Sequence, residues 1–291
     1  GLPSYVRSPS HPAPFGTKEN LLPVKTLRAT LSTLLSLLIV FPIVYSISAS
    51  FFQYTDFTAL PARLFPSRLN IGNYVRAFSE SFLARFLLNS LLTAIVGTLL
   101  RMAISILAAY TFSFFTFKGR NALFILIVAT MLLPSDALII ANFMTIRALR
   151  LTDTYLGIIA TSLLAPTHIF MLRQYFRMMS VEYREAAIIE GCSDSRFLSM
   201  LLMPMSKAVI LTLAIHSFST IFNDYLWPLL VTNKTSMRTV QVGLTMMGFS
   251  EQLDYGPQFA AITFLMTPIL IVFIALHKPI IESVSIRFTG R

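Results

Sequence analysis

Charged residues are scarce in this sequence of 291 residues: they make up 12% of the chain, whereas 55% of it is hydrophobic. Soluble domains average roughly 25% charged residues, so the deficit indicates a chain that lies largely in lipid. Cysteine is scarcer still, and a single residue of this type, Cys192, excludes an internal disulfide. The Gly-x-x-x-x-Gly-Lys-Ser/Thr motif that cradles ATP phosphates is absent, so we expect no ATP hydrolysis by this chain.

Long apolar stretches dominate what is present. Each stretch contains at most one charged residue and is long enough for a spanning helix, which needs about 20 apolar residues. The strands of a membrane barrel would instead alternate in polarity over about ten residues. The sequence therefore predicts an all-α integral membrane protein with six transmembrane helices. We call them spans one to six: residues 29–55, 86–117, 121–146, 154–172, 208–233 and 255–277.

The distribution of positive charge predicts the orientation. Six spans place both termini on one side of the membrane. With cytoplasmic termini, the inner segments hold 14 of the 23 Lys and Arg residues and the outer segments hold 8. This excess favours a six-helix transmembrane domain over residues 29–278 with cytoplasmic tails at 1–28 and 279–291. No basic stripe interleaves with aromatics, so we expect no nucleic-acid partner.

The polar loop at residues 176–207, between spans four and five, is the most unusual segment. The sequence predicts a helix over residues 181–190, which ends where Gly191 adopts a left-handed conformation. Ser193 is a candidate cap for a second helix, and Pro204 marks the expected end of that helix. These features predict a helix–turn–helix that lies across the cytoplasmic surface.

The charges of this loop bear on what it contacts. Helices that lie on membrane surfaces favour Lys and Arg on their polar face. Over its two predicted helices, residues 181–204, acidic residues outnumber the two bases, Arg184 and Arg196. The acids are Glu182, Glu185, Glu190 and Asp194. This excess favours a basic protein partner, and an amphipathic loop lying on the lipid headgroups is the alternative interpretation.

The spacing in the loop resembles a known signature. Glu185-Ala186-Ala187, three residues, Gly191, nine residues, Leu201, one residue and Met203-Pro204 are similar to the EAA motif of ABC importer membrane subunits. Glu190, Cys192 and Met203 depart from it, since Asp, Ala and Leu are usual there. Further segments resemble permeases of the maltose-transporter kind, and the similarity covers about residues 25–290. These segments are Asn73-Tyr74, Phe78, Phe82, Asn89-Ser90, Leu133-Pro134, residues 170–174 and residues 223–228.

The resemblance implies a type I ABC importer permease for a saccharide in the bacterial inner membrane. The loop would be a coupling helix seated in a cytoplasmic ATPase. It also implies partners: a second permease subunit, two ATPase subunits that bind ATP and Mg²⁺, an external solute-binding protein and the lipid around the spans. Alternating access would move the substrate. The residues implied to couple to the ATPase are Glu185, Ala186, Ala187, Glu190, Gly191 and Pro204.

Charged residues inside spans are candidates for a substrate pathway, because burying a charge in lipid costs roughly 2.5–3.5 kcal/mol. Arg101 and Asp136 are two of them, and an ion pair between them is the structural alternative. Pro134 is expected to kink span three beside Asp136. Asp224, near the outer end of span five, is a third charged candidate, and the others are polar or aromatic: Asn142, Asn223, Tyr225 and Trp227.

Two histidines within spans, His168 and His216, lack the spacing of metal ligands. We interpret them as hydrogen-bonding groups between helices.

Two other functional classes fit a six-span chain. An ATP-independent secondary transporter or channel would be expected to show internal repeats, and none is found. An intramembrane aspartyl protease would use two carboxylates such as Asp136 and Asp224, but the Gly-x-Gly-Asp pattern is absent. The substrate stays open, because Arg101 and the outer bases suit an acidic oligosaccharide such as alginate or a neutral sugar.

Overall fold

The computed structural model describes residues 21–79, 82–179, 181–247, 255–267, 270, 271 and 274. The described part is helical and contains no strand. Most of the predicted tails, residues 1–20 and 279–291, lie outside it. The α-helices are α1 (Leu21–Ala49), α2 (Tyr54–Phe57), α3 (Gly72–Ser79), α4 (Leu83–Phe114), α5 (Arg120–Ala129), α6 (Ile139–Ala148), α7 (Tyr155–Ile159), α8 (Pro166–Arg177), α9 (Val181–Ile189), α10 (Asp194–Phe197), α11 (Met203–Met205), α12 (Lys207–Phe222), α13 (Leu226–Val231) and α14 (Val240–Met247). Residues 256–267 are also helical.

Spans one and two are continuous helices. Within α1 the stretch Thr26–Ala49 is apolar enough to cross a membrane, and so is α4 over its full 32 residues. The predicted cytoplasmic tail ended at residue 28, but α1 begins at Leu21, because a helix is free to extend past the lipid. At 1.5 Å per residue α4 is about 48 Å long, which exceeds the roughly 30 Å of the hydrocarbon core. Part of α4 therefore projects beyond the lipid.

Spans three, four and five are not the continuous helices that their composition suggested. The apolar helix Arg120–Leu132 stops before Pro134, and helix resumes at Ser135, so the expected kink is a full break. In span four, the helices Tyr155–Ser162 and Pro166–Arg177 meet at 51°. The reason is that Pro166 forces Ala165 into an extended conformation.

Span five ends early. The helix α12 stops at Phe222, and residues 223–225 separate it from α13. Among the described residues, two helices could cross a membrane alone, or up to four if each bent pair counts as one span.

The helix α4 lies at the centre of the packing, against α8, α12 and α14. One apolar cluster joins it to α8 and α12 through residues such as Met102, Leu172 and Leu213. Between α8 and α12, the His168 Nε2 lies 3.2 Å from the Leu213 carbonyl oxygen and 2.9 Å from the Ser217 Oγ. The prediction that His168 bonds between helices is therefore confirmed.

Asn73 and Asn89 belong to the segments that resemble permeases of the maltose-transporter kind. Both are fully buried, and both connect a helix to a loop. The Asn73 amide donates to the carbonyls of Ser50 and Phe52, at 2.9 and 2.8 Å. The Asn89 amide donates to the carbonyls of Ser236 and Arg238, at 2.8 and 2.9 Å. A buried amide that satisfies loop carbonyls holds irregular backbone against a helix, so these residues position the loop that follows span one and the loop that precedes span six.

Candidate functional site

The polar loop between spans four and five forms the predicted helix–turn–helix. Its first helix, α9, ends in a Schellman motif: the Cys192 amide donates to the Ala187 carbonyl at 2.8 Å and the Gly191 amide to the Ile188 carbonyl at 3.0 Å. Gly191 has a φ of 73°, which confirms the left-handed conformation predicted for it. The turn is thus set by hydrogen bonds and by one glycine.

The second helix of the loop begins as predicted but ends later. Ser193 precedes Asp194 as the capping residue, yet its side chain makes no capping bond. Pro204 was expected to end the helix, which instead runs through it to Met205. A π-helical segment, Leu198–Leu202, precedes the proline, and its wider turn eases the clash of a proline ring with an earlier carbonyl. The chain then bends by 83° into α12.

Apolar contacts hold the loop against the C-terminal end of α4. Phe197 and Leu202 of the loop are buried in the same cluster as Tyr110 of α4. The Phe197 ring packs edge-on against Phe114, with centroids 5.7 Å apart. The apolar side chains that recur on one face of the second helix, Phe197, Leu198, Leu201 and Leu202, therefore point into the bundle rather than into lipid headgroups.

A hydrogen bond and an ion pair also hold the loop against the end of α4. Oδ1 of Asp194 accepts a hydrogen bond from the Tyr110 hydroxyl at 2.9 Å and pairs with Arg184 Nη2 at 3.2 Å. Arg184 Nη1 donates to the Phe114 carbonyl at 2.7 Å. The Tyr110 hydroxyl and the Arg184 guanidinium hold the pKa of the Asp194 carboxyl below its usual value, so Asp194 is ionised at neutral pH.

The opposite face of α9 is uncovered. Ile189 is 86% exposed, Ile188 58% and Tyr183 52%. Glu185 and Ala186 are exposed beside them. Large apolar side chains at this exposure, next to acids, are typical of an interaction surface. We call this surface the α9 face.

Arg184 and Asp194 neutralise each other, so neither contributes to the net charge that the loop presents to a partner. Neither Glu185 nor Glu190 has an ion-pair partner within the described part of the chain. The excess of acid on the outside of the loop is therefore retained, with Arg196 as the one exposed base on these two helices.

The candidate pathway residues divide into two groups. Arg101 is buried in the middle of α4, and its Nε donates to the Ser162 carbonyl where span four breaks. Asp224 lies at the break of span five, where its Oδ1 accepts a hydrogen bond from the Trp227 amide at 3.4 Å. The side chain of Asp136, the partner considered for Arg101, lies outside the described part of the structure. The break of span four thus lies against Arg101 in the middle of α4.

The other candidates lie nearby with different surroundings. Asn223 is exposed, and its Oδ1 accepts a hydrogen bond from Gln241 at 3.2 Å. Tyr225 is 40% exposed, and Asn142 is half-buried on α6. Trp227 is buried, with its indole N–H directed at the carbonyls of Gly157 and Ile158, both at 3.1 Å. This burial favours a packing role for Trp227 over a place in a pathway.

Comparison with known proteins gives the family. A profile described as "Binding-protein-dependent transport system inner membrane component" matches residues 101–283. This chain belongs to that family. A relative in Rhizobium meliloti, the sn-glycerol-3-phosphate transport system permease protein UgpE, is 34% identical over 72% of this chain and 77% of its own length.

Two further matches agree with this family. The arabinooligosaccharides transport system permease protein AraQ of Halalkalibacterium halodurans is 28% identical over 85% of this chain and 90% of its own. A chain in a crystal structure of a bacterial ABC transporter involved in the import of the acidic polysaccharide alginate has the same fold, with a TM-score of 0.82. That match covers 91% of this chain and 99% of the other, at 21% identity.

Sequence reasoning about this transport-family chain missed the contacts that hold the loop on α4. Tyr110 was not singled out, and Arg184 and Asp194 were counted only as charges. The one signal available was the run of aromatic residues at the end of span two, residues 110–117. Their role depends on contacts made across 70 or more positions of the chain, from Arg184 to Phe114 and from Asp194 to Tyr110.

Proposed function

We propose that this chain is one permease subunit of a bacterial ABC importer for a saccharide, and that the α9 face docks on a cytoplasmic ATPase subunit. The observation that carries the proposal is the contrast between the two sides of the loop. One side is fixed to α4 by buried aromatic side chains and an ion pair. The other exposes Ile188 and Ile189 without cover. A loop that is held rigidly on one side and exposes apolar side chains on the other is suited to transmit movement from a bound partner.

The chemistry of the α9 face indicates its partner. Glu185 and Glu190 favour a cleft that carries basic residues. The small side chains of Ala186 and Ala187 allow another backbone to approach closely, and Gly191 and Pro204 shape the loop. The ATPase partners would hold ATP and Mg²⁺.

The remaining subunits follow from the proposed transport cycle. A second permease would supply the other half of the translocation path, and an external binding protein would deliver the substrate. The bias of Lys and Arg supports cytoplasmic termini, and hence a cytoplasmic α9 face. Movement of two ATPase subunits would switch the permease pair between inward-open and outward-open states.

A saccharide is the proposed substrate class. Arg101, beside the break of span four, supplies donors for hydroxyl or carboxylate groups. Such donors suit a neutral sugar as well as an acidic oligosaccharide. Among the similar proteins, one is named for sn-glycerol-3-phosphate and one for arabinooligosaccharides.

Charge reversal tests the docking. We expect Glu185→Lys to reduce the amount of ATPase subunit that co-purifies with the complex, and Glu185→Gln to reduce it less. Lys118→Glu is the matched control, because Lys118 is also exposed but lies in the turn between spans two and three. Equal retention of the ATPase by all three variants would contradict the docking.

Stimulation of ATP hydrolysis tests the substrate class. The purified complex with its binding protein is assayed against neutral oligosaccharides, uronic oligosaccharides and sn-glycerol 3-phosphate. We expect a saccharide to stimulate hydrolysis. Uptake that continues without any ATPase subunit would instead favour the ATP-independent transporter.

A further inference from the structure

The end of α4 gathers contacts from three other segments. Three arginines donate to backbone carbonyls there. Arg173 of α8 donates to Phe112 O at 3.3 Å, Arg184 of α9 to Phe114 O at 2.7 Å, and Arg120 of α5 to Phe115 O at 3.0 Å. Carbonyls at a helix C-terminus lack partners within the helix, and the helix dipole favours cations there. The end of α4 is thus a junction between spans three and four and the loop.

Arg184 and Asp194 attach both helices of the loop to this junction. Arg184, on the first helix, bonds to the Phe114 carbonyl through Nη1 and to Asp194 through Nη2. Asp194, at the start of the second helix, accepts the Tyr110 hydroxyl on the same Oδ1 that meets Arg184. Both helices are therefore held by α4 and by each other through charge-assisted hydrogen bonds.

We propose that Tyr110, Arg184 and Asp194 are positioning residues that form a latch, through which movement of the coupling loop is passed to α4. This inference rests on the proposed docking of the α9 face. Tyr110 of the latch lies on the same continuous helix as Arg101, nine positions further along α4, which is about 14 Å along the axis. Movement at the latch therefore reaches the break of span four beside Arg101 through a rigid element.

The other connections of the loop are less suited to this task. Its covalent link to α12 passes through an 83° bend, and a few backbone dihedral angles at such a joint can absorb a large change of direction. The apolar contacts around Phe197 resist separation but have no preferred direction. The hydrogen bonds of the latch are directional, so they fix the angle between the loop and α4.

Tyr110→Phe removes one hydroxyl and leaves the ring, which packs against Phe114 and Phe115 with centroids 5.4 and 5.5 Å apart. Asp194→Asn removes the charge that pairs with Arg184. Tyr54→Phe is the matched control, because Tyr54 is 49% exposed and lies in α2, away from the loop. The complete importer, reconstituted in proteoliposomes, serves for all variants.

The ratio of ATP hydrolysed to substrate imported is the measurement. The probe is the oligosaccharide of the neutral and uronic panel that stimulates hydrolysis most. We expect Tyr110→Phe and Asp194→Asn to retain the ATPase subunits and to raise the ratio about five-fold or more, the lower end of usual coupling between sites. The double variant should be no worse than the worse single variant, because both remove one contact. Tyr54→Phe should match the unmodified chain.

Three results would overturn the latch: an unchanged ratio, additive effects in the double variant, or loss of the ATPase subunits from either single variant. The last would mean that the contact serves docking alone. Failure of the docking proposal is read separately, from retention of the ATPase by Glu185→Lys.

Discussion

Replacement of Gly191 by alanine is the sharpest perturbation of the turn between α9 and the second helix of the loop. Gly191 has a φ of 73°, and a Cβ added there would meet no atom within 4 Å. The cost is therefore conformational and not steric. A left-handed conformation costs a residue with a side chain about 1–2 kcal/mol, which corresponds to a factor of roughly 5–30 in the population of the turn.

The turn sets the angle between α9 and the second helix, so this cost should reach the ATPase contact. A partner that binds only the native turn is weakened by at most the same factor. We expect Gly191→Ala to raise the Kd of the permease complex for its ATPase subunit, up to about 30-fold. Titration of labelled ATPase subunit onto the complex in detergent measures it.

Gly119→Ala is the control for this experiment. Gly119 also has a positive φ, 82°, and open space around it, but it lies in the turn between spans two and three. The conformational cost should be the same, whereas ATPase binding should not change. If the two variants bound ATPase equally well, the role of the Gly191 turn in docking would be refuted.

Three further outcomes are expected. Gly243→Ala would place a Cβ in steric conflict with the Phe86 ring and should destabilise the protein by about 1–3 kcal/mol, seen as a lower unfolding temperature. Asn89→Ala removes the hydrogen bonds to the carbonyls of Ser236 and Arg238 and should cost about 0.5–1.5 kcal/mol for each, seen as faster proteolysis after Arg238. Asp194 has a lowered pKa, so its stabilisation is present above its ordinary pKa and is lost as the pH falls through the lower folded value. Unfolding temperatures below pH 4 should therefore fall less in Asp194→Asn than in the unmodified chain.

The loop shows what local sequence determines. Gly191 was predictable because only glycine adopts a positive φ freely after a helix. The buried face of the second helix was predictable from its periodicity. The late helix end was not, since tolerance of Pro204 depends on a π-helical segment that no pattern in the sequence marks.

The membrane spans show what local sequence does not determine. Apolar composition located six segments, but it could not distinguish a continuous helix from one broken at Pro134 or before Pro166. Tertiary packing decides whether a broken helix is stable within a bundle. The latch was equally hidden, because Tyr110 and Asp194 are 84 positions apart, and no local pattern in the sequence links one to the other.

Photo-crosslinking tests whether the α9 face contacts the ATPase. A benzophenone side chain at Ile189, which is 86% exposed, is compared with one at Leu60, which is 96% exposed on the segment between α1 and α4. We expect position 189 to crosslink to an ATPase subunit in the assembled complex and position 60 not to do so. Crosslinks from position 189 to lipid alone, with the ATPase present and active, would contradict it.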